Sequence, residues 1–185
     1  MTTPTIISRQ EGEAWKRPFI ALYEPFNGDN NFTVERIERL DSSDAGNFSA
    51  VQVFNKNNTR QIILQACDTG ALNKKGDWQF QGSFGVISTE ENNPFYLYLG
   101  EGKHLSYKQY TIESKASKGS INLLIDQNKM LVSCNQESIL TIRKSRGTTA
   151  TLVTNGKTIR LSTKRTGTTL SFTVPAVKDG ELQIQ

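Results

Sequence analysis

EGEAWKRPFIALYEPF, residues 11–26, holds six large apolar or aromatic side chains around two prolines. Proline fixes its own φ and donates no backbone hydrogen bond, so Pro18 and Pro25 mark where strand pairing starts and stops. The residues between them, Phe19–Glu24, are apolar on both faces apart from Glu24. This pattern is typical of a strand that is covered on two sides. The stretch therefore predicts an inner strand of a packed β structure.

Alternation of apolar and polar residues predicts further strands along the chain. Phe95, Leu97 and Leu99 share one face of a strand, while Tyr96 and Tyr98 take the other. Residues 32–40 carry a helical spacing as well, but we favour a strand with a bulge there. The other predicted strands are Thr5–Ser8, Ala50–Phe54, Gln61–Ala66, Trp78–Gln81, Phe84–Ser88, Ile121–Ile125, Met130–Cys134, Leu140–Ile142, Ile159–Leu161 and Leu170–Val174.

Short turn signals separate these strands. Asn155-Gly156 is the clearest hairpin, because Asn-Gly suits the positive φ of a tight turn. We also interpret the glycine-rich stretches 82–85 and 100–102, and Asp179-Gly180, as turns. About a dozen or more short strands with hairpin links indicate an all-β fold, an antiparallel two-sheet β-sandwich. We expect residues 1–185 to form a single domain of this kind.

Composition bounds the possible functions. Hydrophobic residues make up 36% of the chain, charged residues 22%, and the mean hydropathy is −0.48, as in a globular protein. No apolar run approaches the ~20 residues of a membrane helix, so we expect no membrane partner. Cys67 and Cys134 are predicted to be buried free thiols. With one histidine and no CxxC motif, the sequence predicts no Cys/His metal site, and we expect no cofactor.

Positively charged residues are concentrated in the C-terminal part of the sequence. Seven Lys and Arg residues lie between Arg143 and Arg165 without an acidic residue among them, in a protein of net charge +4. One interpretation is a solvated face of exposed strands, where lysine also discourages edge pairing. The other is a docking surface for a polyanion, with Arg143, Arg146 and Arg160 as substrate contacts. Because no aromatic residue interleaves the run, an acidic glycan is favoured and nucleic acid is not expected.

Trp15, with Arg17 beside it, and Trp78 are candidate residues for stacking on a sugar ring. Each tryptophan stands next to charged residues, as aromatic rings at carbohydrate sites do, although tryptophans at the edge of a core look the same. His104 with Glu101 is a weak candidate for a catalytic pair, because a lone histidine in a turn is more often a surface residue.

Glu24 and Asp68 each end an apolar stretch. They are either paired carboxylates, as in glycoside hydrolysis, or acceptors for loop backbone, which we favour.

Three motifs carry a resemblance to a known family. Pro18-Phe19 through Glu24-Pro25, Val51 with Val53, and Ile63-Leu64 with Asp68 resemble the C-terminal part of bacterial heparinase II/III-type polysaccharide lyases, over about residues 9–140. The resemblance implies a supersandwich-like β module that follows an α/α-toroid catalytic domain. Such lyases break the glycosidic bond next to a uronic acid by β-elimination.

The resemblance also implies what this chain does not do. In the family the catalytic groups come from the toroid and from an early β segment, neither of which this sequence matches, and His104 does not align with the family histidine. We therefore expect no catalytic residue here, and a C-terminal module of a larger periplasmic or extracellular bacterial lyase. Its partners would be an acidic polysaccharide and the α/α-toroid domain. An autonomous carbohydrate-binding module and a purely structural interdomain module remain alternatives.

Overall fold

The computed structural model describes most of the chain. The described residues are Leu22, Glu24, 33–40, 47–126, 129–144 and 147–185. The predicted strands Thr5–Ser8 and Phe19–Glu24 lie outside them, except for Leu22 and Glu24, which are not assigned to a strand.

The described residues form fifteen strands and no helix, and every strand pairing is antiparallel. This confirms the predicted all-β antiparallel fold. No helix suited to crossing a membrane is found in this part of the chain. The strands are β1 (Val34–Arg39), β2 (Phe48–Asn55), β3 (Thr59–Ala66), β4 (Asn73–Lys75), β5 (Trp78–Glu90), β6 (Asn93–Tyr107), β7 (Tyr110–Ser114), β8 (Gly119–Ile125), β9 (Met130–Cys134), β10 (Ser138–Arg143), β11 (Ala150–Thr154), β12 (Lys157–Leu161), β13 (Thr163–Thr166), β14 (Thr169–Val174) and β15 (Val177–Ile184).

Two layers share the long strands β5 and β6. The first layer runs in the order β1-β2-β3-β5-β6-β8-β9-β15-β11-β12. In the second layer, the start of β5 pairs with β4 and the end of β6 pairs with β7, which leads through β10 and β14 to β13. The hydrogen-bonded network is therefore continuous, and one end of each shared strand belongs to the first layer and the other end to the second.

The change of layer occurs where Gly82 of β5 faces Gly102 of β6, beside shifts of strand register. A Cβ on Gly102 would lie 2.7 Å from the Gln81 carbonyl oxygen and 2.8 Å from Gly82 Cα. The strands can approach this closely only because both residues lack a side chain. The prediction of turns at 82–85 and 100–102 is therefore wrong, and Trp78–Gln81 and Phe84–Ser88 are one strand.

The core lies between the layers and forms one cluster that takes residues from both. Phe80, Leu97, Leu99 and Ile112 are fully buried in it. Each such side chain stabilises the fold by roughly 1.5–3 kcal/mol relative to exposure. Tyr96 and Tyr98 lie on the opposite face of β6 and are half-buried, as the alternation predicted.

Local geometry confirms two other predictions and corrects one. Strand β1 carries a register shift between Val34 and Arg36, the predicted bulge. Asn155 (φ 48°) and Gly156 (φ 72°) form the β11–β12 hairpin. Asp179-Gly180, by contrast, lies inside β15, where the pairing with β9 shifts register. It is a bulge in a strand rather than a turn.

The two cysteines are free, as predicted, but differ in burial. Cys134 is buried and Cys67 is exposed. Cys67 follows Ala66, the last buried residue of β3, and side chains alternate between the faces of a strand. The prediction that both thiols are buried is therefore wrong for Cys67.

Candidate functional site

The structure separates the six predicted glycan contacts. Trp15, Arg17 and Arg146 lie outside the described residues. Arg143 ends β10 in the second layer, and Arg160 lies on β12 at an edge of the first layer; both are exposed.

Trp78 is a core residue. Only 5% of its surface is exposed, and its ring packs against Phe48 with 5.8 Å between centroids. A sugar needs an open ring face to stack on, and this ring offers none. Its charged neighbour Asp77, which suggested a binding site, marks only the hairpin before the strand.

The Lys and Arg residues between Arg143 and Arg165 are not all alike: some hold loops in place and others are exposed on edge strands. Arg165 donates hydrogen bonds from its guanidinium to the carbonyl oxygens of Gly147, Lys144 (3.1 Å) and Gly167 (3.1 Å). It therefore connects two loops, the one between β10 and β11 and the turn between β13 and β14. Lys157 and Lys164 are exposed, on the edge strands β12 and β13. Exposed lysines on edge strands fit the solvated-face interpretation, which accounts for part of the run.

The candidate site is a cleft on the outer face of the first layer, the face turned away from the core. Its cavity volume is about 500 Å³. We call it the Tyr98 cleft. Its lining comprises Tyr98, Ser120, Ile121, Asn122, Ser133, Cys134, Asn135, Ala176, Val177 and Lys178.

Its aromatic wall is held in place by neighbours on the same face. The Tyr98 ring meets the ring of Phe84 edge to face, with centroids 6.1 Å apart and an interplanar angle of 61°. A Cβ on Gly100 would lie only 3.1 Å from Tyr98 Cε1, so the ring rests against that glycine. Phe84 is 39% exposed. Two aromatic rings thus remain partly open to solvent with Tyr98 in a fixed orientation.

The cleft floor carries polar side chains within a lining whose exposed surface is mostly apolar. Tyr98 faces Asn122 across the β6–β8 pairing, and Asn122 faces Ser133 across the β8–β9 pairing, so the three side chains follow one another across three strands. At the rim, Asn135 accepts a hydrogen bond from the Ser120 amide through Oδ1 at 2.8 Å. The Nδ2 group on the other arm of that amide remains a donor.

The wall opposite the floor's β8 side is formed by the start of β15, which carries Lys178. The bulge at Asp179 is fixed from β9, because the Asp179 amide donates to Ser133 Oγ at 2.9 Å and Ser133 Oγ–H donates to Asp179 Oδ1 at 3.1 Å. Bulges redirect the side chains of a strand. Here the bulge has a φ of 52° at Asp179. Lys178, the residue directly before it, is exposed and lines the cleft.

A second cleft, of about 580 Å³, lies at another end of the molecule. Among its lining residues are Lys129, Arg143 and Lys144, but also Asp126 and Glu181. A hydrogen bond from Gln183 and an ion pair with Lys129, at 3.0 Å, lower the pKa of the Glu181 carboxyl. We call it the Arg143 cleft, and its charge is mixed rather than uniformly basic.

His104 is paired, but with Glu113 rather than Glu101. It lies in the second-layer half of β6, opposite Glu113 of β7, with Nδ1 3.8 Å from Oε1. Burial lowers the pKa of His104, and Glu113 partly offsets that effect. The histidine lines neither cleft.

The two carboxylates considered from sequence both bind loop groups. Glu24 accepts hydrogen bonds from the amide and hydroxyl of Thr33, which lower its pKa, and from the Val34 amide. Asp68 accepts one from the Gly70 amide at 2.9 Å. This is the arrangement favoured over a catalytic pair.

Sequence reasoning missed Tyr98 as a site residue. It had placed Tyr96 and Tyr98 on the polar face of a strand, which was the available signal. The position of Asn122 opposite Tyr98, and of Ser133 opposite Asn122, depends on the pairing of three strands, and no local pattern gives that pairing. The exposure of Lys178 at the cleft accompanies a bulge, whereas the Asp179-Gly180 pattern predicts a turn there.

Comparisons with known proteins address part of the chain. Residues 34–124 match the family model described as the endo-acting ulvan lyase C-terminal domain. The chain is also 36% identical over 121 residues to an endo-acting ulvan lyase of Formosa agariphila (strain DSM 15362). That alignment covers 62% of this chain and 14% of the relative, so the chain spans a small part of the relative's length. The region from β1 into β8 is thus similar to the C-terminal domain of a polysaccharide lyase.

Proposed function

We propose that this chain is a non-catalytic C-terminal module of a polysaccharide lyase that acts on an acidic, uronate-containing glycan. The observation that carries the proposal is the match of residues 34–124 to the ulvan lyase C-terminal domain, together with 36% identity to a lyase of that activity. In the proposal, the module supports a catalytic domain of the same parent protein and lines one side of its substrate groove.

The position of the single histidine supports a non-catalytic role. β-Elimination needs a base that reaches the C5 proton of the uronate, and histidine is the side chain best suited to proton transfer near neutral pH. His104 is half-buried against Glu113 and lies in neither cleft of the described residues. The histidine is therefore not placed to act as the base in either cleft.

The catalytic partner that we propose is an α/α toroid of the heparinase II/III type. The family motifs Val51 with Val53 and Ile63-Leu64 lie on β2 and β3, within the region that matches the lyase model. A periplasmic or extracellular location goes with this proposal, because the substrate is a polymer outside the cytoplasm.

The test is an activity assay of the isolated chain on ulvan, heparan, hyaluronan and alginate, read at the absorbance of unsaturated uronates. An active ulvan lyase serves as the positive control. We expect no turnover by the chain. Turnover at ordinary enzyme rates would refute the non-catalytic assignment.

Binding and pull-down experiments separate the two alternatives. Tight glycan binding without any association with a toroid domain would identify an autonomous carbohydrate-binding module. Association with the toroid but no glycan binding would identify a purely structural module.

A further inference from the structure

We propose that the Tyr98 cleft is a subsite for one uronate residue of the glycan, with Tyr98 against the sugar ring and Lys178 on its carboxylate. This inference rests on the proposed function and adds the location of the contact and the chemistry of its ligand.

The aromatic wall supports the first part of the proposal. Sugar-binding pockets combine an aromatic or apolar surface with a few placed polar groups. Tyr98 is positioned by Phe84 and Gly100, so the cost of ordering it is met in the free protein. The sugar's apolar C–H face would lie on the ring, as apolar surface lies on aromatic surface elsewhere.

The floor supports recognition of hydroxyl groups. Asn122 lies one strand from Tyr98, about 5 Å across the sheet. The Ser133 hydroxyl, two strands away, already donates to Asp179, so the contact that we propose on the floor is the Asn122 amide. An amide offers both a donor and an acceptor, and so can bind adjacent hydroxyls of one sugar. Asn135 Nδ2 adds a donor at the rim.

Lys178 supports the acidic character of the ligand. It is exposed and lines the cleft, whereas the neighbouring carboxylate of Asp179 is held by the Ser133 hydroxyl and does not line it. A lysine on a fixed backbone bulge provides the positive charge that a uronate carboxylate requires. In the Arg143 cleft the positive side chains are mixed with acidic ones, because Lys129 is paired with Glu181 and Asp126 also lines the cleft.

The test is isothermal titration calorimetry, in which the chain is titrated with an ulvan oligosaccharide and Kd is measured. We expect Tyr98→Ala to raise Kd about tenfold and Tyr98→Phe to restore most of the affinity, because the ring and not the hydroxyl makes the contact. Tyr110→Ala, at the Arg143 cleft, is the matched aromatic control and should leave Kd unchanged. Thermal melts establish that each variant is folded.

A second set of variants tests the contact between Lys178 and the uronate carboxylate. We expect Lys178→Ala to raise Kd roughly threefold in low salt and to have no effect near 1 M salt, where charges are screened. Lys74→Ala, on β4 of the second layer, is the matched control. Carboxyl-reduced ulvan should bind the wild type as weakly as the acidic polymer binds Lys178→Ala.

Each contrary outcome overturns a defined statement. Glycan binding that Tyr98→Ala and Lys178→Ala leave unchanged would refute this subsite while the proposed function stands. Complete absence of glycan binding would refute both the subsite and the proposed contact with the substrate groove, whereas turnover by the isolated chain would refute only the non-catalytic assignment. Loss of affinity on Tyr98→Ala with no effect of Lys178→Ala or carboxyl reduction would refute the uronate carboxylate as the ligand group.

Discussion

The outer faces of the two layers differ, although both layers use the same two long strands. On the first layer, Tyr98, Asn122 and Ser133 surround a cleft. On the second, the aligned positions across β6, β7 and β10 are Ser106, Thr111 and Thr141. On the second layer these hydroxyl side chains are buried (Ser106) or half-buried and line neither cleft, whereas on the first layer an aromatic ring beside an amide gives shape and apolar area for a ligand. The change of layer at Gly82 and Gly102 therefore divides β6 into a part that carries the proposed subsite and a part that pairs with β7 in the second layer.

The largest effect that we expect is on stability, at Trp78, an aromatic residue that lies in the core and not at the Tyr98 cleft. Trp78→Ala removes a buried ring and should lower the free energy of unfolding by about 3–5 kcal/mol. Urea denaturation measures this change. Because Trp78 lies in the core, the folded fraction should bind the glycan with wild-type affinity. A stable Trp78→Ala variant with lost binding would contradict the assignment of Trp78 to the core.

The next effect concerns the point where the layers divide. Gly102→Ala places a methyl group against the backbone of Gln81 and Gly82, and should lower the free energy of unfolding by about 3 kcal/mol. Gly76→Ala is the control, since nothing lies within 4 Å of that position and only its φ of +54° is unfavourable. Its cost should be about 1 kcal/mol. Equal costs at the two positions would show that the close crossing is not required.

A smaller effect should appear in the pH dependence of stability. The pKa of His104 is lowered in the folded state, so the unfolded chain binds more protons than the folded chain below about pH 6.5. His104 should therefore lower stability as the pH falls from 6.5 through its folded pKa, with no further loss below that value. His104→Gln should remove this component from thermal melts, and Glu113→Gln should enlarge it because Glu113 favours the protonated form. An unchanged pH profile in His104→Gln would contradict the account.

The smallest effect is expected at the exposed basic edge. Arg160→Ala should change the free energy of unfolding by less than about 0.5 kcal/mol, because an exposed side chain on an edge strand makes few stabilising contacts. Its effect on glycan affinity should be smaller than that of Lys178→Ala. A larger loss of affinity at Arg160 would move the site from the Tyr98 cleft to the basic run.

Much of the fold followed from local patterns. Alternation in 95–99 identified which side of β6 enters the core, since successive side chains on a strand point to opposite faces. The Asn155-Gly156 pair identified its hairpin because its backbone needs positive φ. Both inferences use residues that are close in sequence.

The errors share a physical cause. Glycine at 82 and 102, and Asp179-Gly180, are equally suited to turns and to irregular positions inside strands; only the pairing with distant strands distinguishes the two. The burial of Trp78 depends on Phe48, thirty residues away in sequence, and the partner of His104 lies on the next strand. Sites made by strand register therefore needed the structure, whereas faces and hairpins did not.

The most direct test of the account maps glycan contacts on both outer faces at once. An ¹⁵N-labelled sample of the chain is titrated with an ulvan oligosaccharide, and amide chemical shifts are followed by NMR. The account expects the shifts to concentrate at Tyr98, Asn122, Ser133 and Lys178, with little change at Ser106, Thr111 and Thr141. Shifts that concentrate on the second layer's hydroxyl face would contradict it.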